Sequence, residues 1–457
     1  MSSFIVDGAE ATVPIWPVAK ADYEAWLSAR PETERRWLVA TEFKPEAGAY
    51  RLIADAEGGL AGVVLGLGER PDLWCYGGLA KQLPKLTYRI ETAPAPETAT
   101  AAALGWSLGA YGFSRYLANE TPRAQLLAPQ GADLTRVERT AAAVFLVRDL
   151  INTPAGDLGP GELAEAVEGV ARRHGASTTV IVGDDLLAEN YPMVHAVGRA
   201  SARLPRLIDL RWGDQAAPKV TLIGKGVCFD SGGLDIKTAA GMLRMKKDMG
   251  GAANALGLAQ MIMAAGLPVR LRLLIPAVEN AISGDAFRPG DVLPTREGRT
   301  VEIGNTDAEG RLILCDALAE ADAERPQLLV DMATLTGAAR VAVGPDLPAL
   351  FTDDDALASA LAEAGRGLSD PVWRMPLFEP YAERLKSGIA DLNNVSDGPQ
   401  AGAITAALYL KAFVTETPSW AHLDLYAWND KDRPGRPAGG EAQAIRALYQ
   451  VIEQRFG

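Results

Sequence analysis

Between positions 178 and 330 the sequence switches repeatedly between two hydrophobic periods. Short aliphatic and β-branched runs at 178–182, 207–210, 220–223, 271–275 and 328–330 read as buried strands. Helical patterns lie between several of them, at 252–265 and 312–323. Strands that alternate with helices imply a mostly parallel sheet covered on both faces. Such a sheet places ligands at the carboxyl ends of its strands.

The chain has 457 residues, enough for two domains. Residues 1–134 read as a smaller N-terminal α/β domain and 135–457 as a larger one that begins with a linking helix. In the first, runs at 37–40 and 62–67 are expected strands, with turn signals at 45–48 and 57–59. A helix is expected at 101–111, after the stretch around Pro94 and Pro96. Gly66-Leu67-Gly68 lacks the third glycine and the helix of a nucleotide loop and reads as a turn. Positions 133–150 carry an apolar helical face of Leu134, Val137, Ala141, Val144, Phe145 and Val147. Asn152-Thr153-Pro154 breaks that pattern, and a new helix begins after Pro160. A closing helix is expected at 441–455, with Ala442, Ile445, Leu448 and Ile452 inward.

Charge and cysteine usage exclude several classes. The net charge of −13, with no offsetting Lys/Arg cluster, argues against a sequence-independent grip on nucleic acid. Three separated cysteines without a CxxC exclude a disulfide framework or thiolate zinc site as the organising device and suit a reducing cytoplasm. No basic leader with a long apolar run and no membrane-length apolar stretch is present. With three histidines, a metal site must rest mainly on oxygen ligands, which suits magnesium, manganese or zinc.

Chemistry concentrates at three strand-to-helix edges. Positions 305–311 read Asn-Thr-Asp-Ala-Glu-Gly-Arg, just before an apolar helical pattern. In an extended segment Asp307, Glu309 and Arg311 would project together; alternatively Asp307 is a helix N-cap and Glu309 offsets the helix dipole. After the run 220–223 comes a glycine-rich segment carrying Lys225, Asp230, Asp235 and Lys237. Asp248 precedes a Gly-Gly helix start, where an N-cap role is the plain alternative. Four carboxylates (Asp230, Asp248, Asp307, Glu309) that converge need cationic compensation. Paired divalent ions sharing carboxylates would provide it.

These segments resemble the leucyl aminopeptidases, the two-metal cytosolic exopeptidases of the M17 type. The heptad 305–311 is that family's signature, and 224–233 and 248–253 match it in register. Further similarity lies in Asn152-Thr153-Pro154, Leu210-Arg211, 282–287, 333–338 and 420–424, so the resemblance covers roughly 135–457. It implies that Asp230, Asp307 and Glu309 bind one metal, while Lys225, Asp230, Asp248 and Glu309 bind the other. The ions would be zinc or manganese, with magnesium or cobalt as alternatives. Lys225 would have to be neutral to ligate. Lys237 would stabilise the developing oxyanion, and Arg311 would hold a bicarbonate acting as general base. Met245, Asn305, Thr334, Leu335 and Gly337 would line the substrate site, although Met245 and Thr334 also suit ordinary core. His422 reads as a packed or hydrogen-bonded core residue.

The resemblance further implies peptide substrates, a homohexamer and a cytoplasmic location, with no membrane or nucleic-acid partner. A dipeptidase of the same fold and a non-catalytic oligomeric or regulatory protein are the alternatives. The sequence departs from the family at Cys228, Thr238 and Asp235. Leu425-Tyr426-Ala427-Trp428-Asn429 replaces a segment of small residues, so Tyr426 and Trp428 are expected to reshape the side-chain pocket.

Overall fold

The strand and helix patterns of the larger region fold as a nine-stranded mixed sheet. Eight strands run in the order Trp373–Arg374, Ala349–Phe351, Trp420–Asp424, Leu328–Ala333, Lys219–Gly224, Arg270–Asn280, Arg206–Trp212, Ser177–Val182. The ninth, Gly226–Asp230, pairs alongside Arg270–Asn280. This is a computed structural model, and it describes residues 4–91, 95–117 and 123–457. Pro94 and the first three residues lie outside that set. Two compact units emerge: residues 1–145 with 429–438, and residues 146–428 with 439–457. The division at Phe145 falls inside the helix Leu134–Asn152.

In the second unit, the four central strands from Trp420–Asp424 to Arg270–Asn280 are parallel. Antiparallel pairing appears only towards the edges, at Arg206–Trp212 with both its neighbours and at Ala349–Phe351 with Trp420–Asp424. Every residue of Leu328–Ala333 and Trp420–Asp424 is buried, as strands covered on both faces must be. The helices Gly250–Ala265 and Glu309–Ala323 pack on the central strands. Both are buried nearly all round, which fits a place between a sheet and a second helix layer, and the second carries Glu309, Arg311, Asp316 and Asp322 among its buried residues. Leu312, Ile313, Cys315, Leu318 and Ala321 join Ile223, Leu274 and Leu329 in one core.

The first unit has its own six-stranded sheet, in the order Ile5–Val6, Gln125–Leu127, Thr87–Ile90, Val13–Val18, Leu60–Gly66, Tyr50–Ala54. The helix Pro96–Ala110 contributes Ala102 and Trp106 to a core with Ile15, Val63, Leu65 and Tyr88.

Three local expectations change. Positions 37–40, expected as a strand, end the helix Glu32–Ala40, where Arg-Glu pairs at i,i+4 and a buried Leu38 favour helix over a short apolar run. Glu441 and Ala442 precede the closing helix, which is Ile445–Phe456. Gly226–Asp230, expected only as part of a glycine-rich segment, is a strand, because its glycine-rich start still finds backbone partners on Arg270–Asn280.

Candidate metal centre

The site begins where Lys219–Gly224 ends. There the chain steps sideways: Lys225 N donates to Met332 O (3.0 Å), and Lys225 O accepts from Ala252 N (2.9 Å). The following strand has an irregular register between Val227 and Phe229 before it delivers Asp230 to the carboxyl edge. Lys225 thus sits at the step between two consecutive strands that both pair with Arg270–Asn280, and Asp230 ends the second of them.

Asp230 is held by its surroundings. Its Oδ1 accepts from Gly232 N (2.8 Å) and Asn280 Nδ2 (2.9 Å), and its Oδ2 lies 2.7 Å from Lys237 Nζ. Gly232 has φ +87°, a conformation that disfavours a side chain, and a Cβ there would meet Asp235 O at 2.5 Å. Lys237 also ion-pairs Asp307. Asp235 accepts from Thr306 N (2.7 Å), while its own N–H donates to Thr306 Oγ1 (2.9 Å), tying the glycine loop to the signature heptad.

The heptad is not extended throughout. The helix starts at Glu309, with Ala308 at its N-cap position, so neither Asp307 nor any other side chain of the heptad caps it. Residues two apart on a helix diverge. Glu309 accordingly faces Lys225 (3.0 Å), while Arg311 Nη1 donates to Asn394 O (2.6 Å). Asp307 lies in the preceding turn, where its N–H donates to Asn305 Oδ1 (2.7 Å). Gly310 lets the helix approach Lys225: a Cβ there would sit 2.5 Å from Lys225 Cε.

Asp248 is not an N-cap either, since Met249 occupies that position before Gly250–Ala265. Its carboxylate instead accepts from Lys225 Nζ (2.8 Å) and Thr334 Oγ1 (2.8 Å), and Thr334 O accepts from Lys225 Nζ (2.8 Å). Asp230, Asp307 and Glu309 each offer an oxygen within 4.8 Å of the others. Burial and the neighbouring Asp248 raise the Asp230 pKa to about 6. Burial and Asp230 push Glu309 to about 8. Burial works against the charge on Lys225, but Asp248, Glu309 and Asp230 outweigh it and hold the ammonium above its usual range. Asp248, although buried, is pulled below the usual carboxylate range by Lys225 and Lys247.

The donor set fits a divalent cation. Glu309 is sealed, and neither of its oxygens accepts a hydrogen bond among the described residues; Oε1 meets Lys225 only as an ion pair. A buried carboxylate left so, beside two more, satisfies its charge by coordinating a hard or borderline metal.

A sequence model of the M17 aminopeptidase N-terminal domain matches residues 13–129, and one of the cytosol aminopeptidase family catalytic domain matches 145–449. The chain belongs to the cytosol aminopeptidase family. It is 42% identical over 376 residues to a probable cytosol aminopeptidase of Roseiflexus castenholzii, covering 78% of this chain and 77% of that one. The solved cytosol aminopeptidase of Coxiella burnetii superposes with a TM-score of 0.94 at 50% identity, covering all of both chains. The bottromycin maturation enzyme BotP, solved in complex with Mn, has a TM-score of 0.86 at 32% identity, covering 98% of this chain and all of that one. The assignment is that of a leucyl-aminopeptidase-like metallo-exopeptidase.

In this aminopeptidase the fold brings Lys225, Asp230, Lys237, Asp248, Asp307 and Glu309 into one linked cluster. Thr334 joins it through Asp248. Leu335 N donates to Asp424 Oδ1 (3.0 Å), Met245 lies half-buried in the turn Met245–Met249, and Gly337 opens the helix Gly337–Val343. His422 is fully buried, stacks with Trp420 and Phe351, and bonds Asp331 Oδ1 at 2.5 Å. The sequence reading missed Asn280, which bonds Asp230, and Asn394. Asn394 Oδ1 accepts from Gly304 N (2.8 Å), and its Nδ2 donates to Asn305 O (2.7 Å). Neither asparagine stands in a recognisable motif; only the tertiary fold brings Asn280 to Asp230 and Asn394 to the backbone of the heptad and to Arg311. Among the described residues, no helix is long and apolar enough to cross a membrane.

Proposed function

We propose that this chain removes N-terminal residues from peptides, with two divalent ions held by its acid cluster. Asp230, Asp307 and Glu309 would hold one ion, and Lys225, Asp230, Asp248 and Glu309 the other, once Lys225 has given up its proton. When bound, the ions supply an activated hydroxide near neutral pH and polarise the scissile carbonyl. Zinc or manganese suits this donor set best.

The chain's own residues do the rest. Lys237, 15% exposed at its side chain, holds its charge beside Asp230 and Asp307 and is placed to donate to the oxyanion that develops in the transition state. Arg311 is buried, with its Nε lacking a hydrogen-bond partner among the described residues. That free donor suits a small oxyanion, and bicarbonate is the proposed general base. Thr334 and Asn280 orient Asp248 and Asp230 and thereby fix the spacing of the donors.

The observation that carries this reading is the sealed Glu309 carboxylate beside Asp230 and Asp307. The test is release of the N-terminal residue from peptide amides after manganese or zinc loading. Turnover is expected to vanish on chelation and in Asp307→Asn or Glu309→Gln. Full turnover by the chelated protein would refute it. The working assembly is proposed as a cytoplasmic homohexamer, and a monomeric mass in light scattering would remove that part.

A further inference from the structure

Beside the acid cluster lies a second set of charges that the proposed reaction does not use. Tyr426 is nearly buried, at 8% exposure, and three cations surround it. Arg244 Nη1 donates to its hydroxyl (3.1 Å), Lys247 Nζ lies 4.9 Å from its ring centre, and Arg340 Cζ lies 5.1 Å from the same centre. Lys247 is only 7% exposed. Among the described residues, no carboxylate or carbonyl bonds the Lys247 ammonium or the Arg340 guanidinium.

The neighbouring acids do not fill that gap. Asp424 accepts from Leu335 N, Thr336 N and Thr336 Oγ1, so its oxygens are committed to opening the helix that carries Arg340. Asp248 is committed to Lys225 and Thr334. Lys247 is mostly buried and Arg340 is exposed, and neither has an acceptor in place among the described residues, so both are open to an anionic group, to which a charge-assisted hydrogen bond is stronger than a neutral one. The cluster also adjoins the reacting centre. Lys247 directly precedes Asp248, and a Cβ on Gly250 would meet both the Ala427 Cβ (2.5 Å) and Thr334 Cγ2 (3.1 Å), so the Tyr426 segment packs against the acid-bearing turn.

We propose that Lys247 and Arg340, arranged around Tyr426, form a subsite for a carboxylate of the peptide substrate. This aminopeptidase then favours acidic peptides over their neutral isosteres. Two sources offer that group: the side chain of an N-terminal glutamate, and the terminal carboxylate of a dipeptide. The inference rests on the aminopeptidase reading.

The test compares kcat/KM for Glu-p-nitroanilide against Gln-p-nitroanilide, and for Leu-Gly against Leu-Gly-amide, in the wild type, Arg340→Gln and Lys247→Met. One charge-assisted contact gives a preference of about tenfold or more for the acidic member of one pair. That preference is expected to fall towards unity in either variant and to be partly retained in Arg340→Lys. Preference in the first pair assigns the side-chain source, and preference in the second assigns the terminal source. A wild type that turns over both neutral members at least as well as the acidic ones overturns the inference, even if neither variant folds. A wild-type preference that survives in folded Arg340→Gln and Lys247→Met also overturns it. Failure to turn over any of the four substrates refutes the aminopeptidase reading instead.

Discussion

Replacing Gly310 by alanine separates helix propensity from the demands of the site. On propensity alone, alanine in a helix is favoured over glycine by about 1 kcal/mol. The structure opposes this. The added Cβ would lie 2.5 Å from Lys225 Cε and 2.8 Å from Lys225 Nζ. Lys225 is not a loose end that can swing aside. Its ammonium is fixed by Asp248 Oδ2 and Thr334 O, both at 2.8 Å, and by Glu309 Oε1 at 3.0 Å. Relieving the clash requires the lysine or the start of Glu309–Ala323 to shift by roughly 1 Å, an overpacking cost of ~1–3 kcal/mol. The two terms nearly cancel in stability, so the melting temperature is expected to change by only a few degrees. Activity has no such offset, because a displacement of about 1 Å at a reacting centre can cost on the order of 100-fold. Gly169→Ala is the control. It lies in the helix Pro160–His174, and its Cβ would meet nothing closer than Arg173 Nη1 at 3.8 Å. Measured together, Gly310→Ala is expected to lose about two orders of magnitude in kcat/KM, while Gly169→Ala keeps wild-type turnover. If both variants behave alike, the close approach of Gly310 to Lys225 does not matter, and the geometry assigned to Lys225 is wrong.

Two further outcomes follow from the same cluster. Glu309 is raised to about 8 and Asp230 to about 6, so the folded, cation-free protein binds more protons than the unfolded chain between the ordinary carboxylate range and about pH 8. Its stability therefore falls as pH rises across that window, and Glu309→Gln flattens the slope; thermal melts of chelated protein from pH 5 to 8 measure this, and an unchanged slope in the variant would count against it. Asp235→Ala removes the carboxylate that accepts from Thr306 N and Thr306 Oγ1, loosening the glycine loop's hold on the heptad, while the backbone bonds of Asp235 N and Gly232 O to Thr306 Oγ1 remain. Because Asp235 is exposed, the melting temperature is expected to move little, whereas kcat/KM drops about tenfold or more; wild-type activity would remove its positioning role.

Much of the fold was legible because buried strands and helices carry different periods. The runs at 178–182, 207–210, 220–223, 271–275 and 328–330 all fall within observed strands. Short segments were less readable. Trp37 and Leu38 look the same in a strand as in a helix until Arg36 and Glu32 pair across a turn. Trp420–Asp424 entered the sequence reading only as a family resemblance, since five residues ending in polar groups show no clear period. The acids were visible as residue types at strand edges. Their pairing came only from the family resemblance, because Lys225 meets Glu309 across 84 positions of sequence through two different elements. Extended spacing suggested that Glu309 and Arg311 point together, but the helix that begins at Glu309 sends them apart. Tyr426 stood out as a departure from the family's small residues, yet the cations around it become apparent only in three dimensions.

The central claim, that the buried acids form a divalent-cation site, is tested most directly by calorimetric titration of manganese into chelator-treated wild type and Glu309→Gln. Saturable binding of two ions per chain in the wild type, with loss of binding in the folded variant, is the expected result. Absence of binding in the wild type, or undiminished binding in the variant, would contradict it.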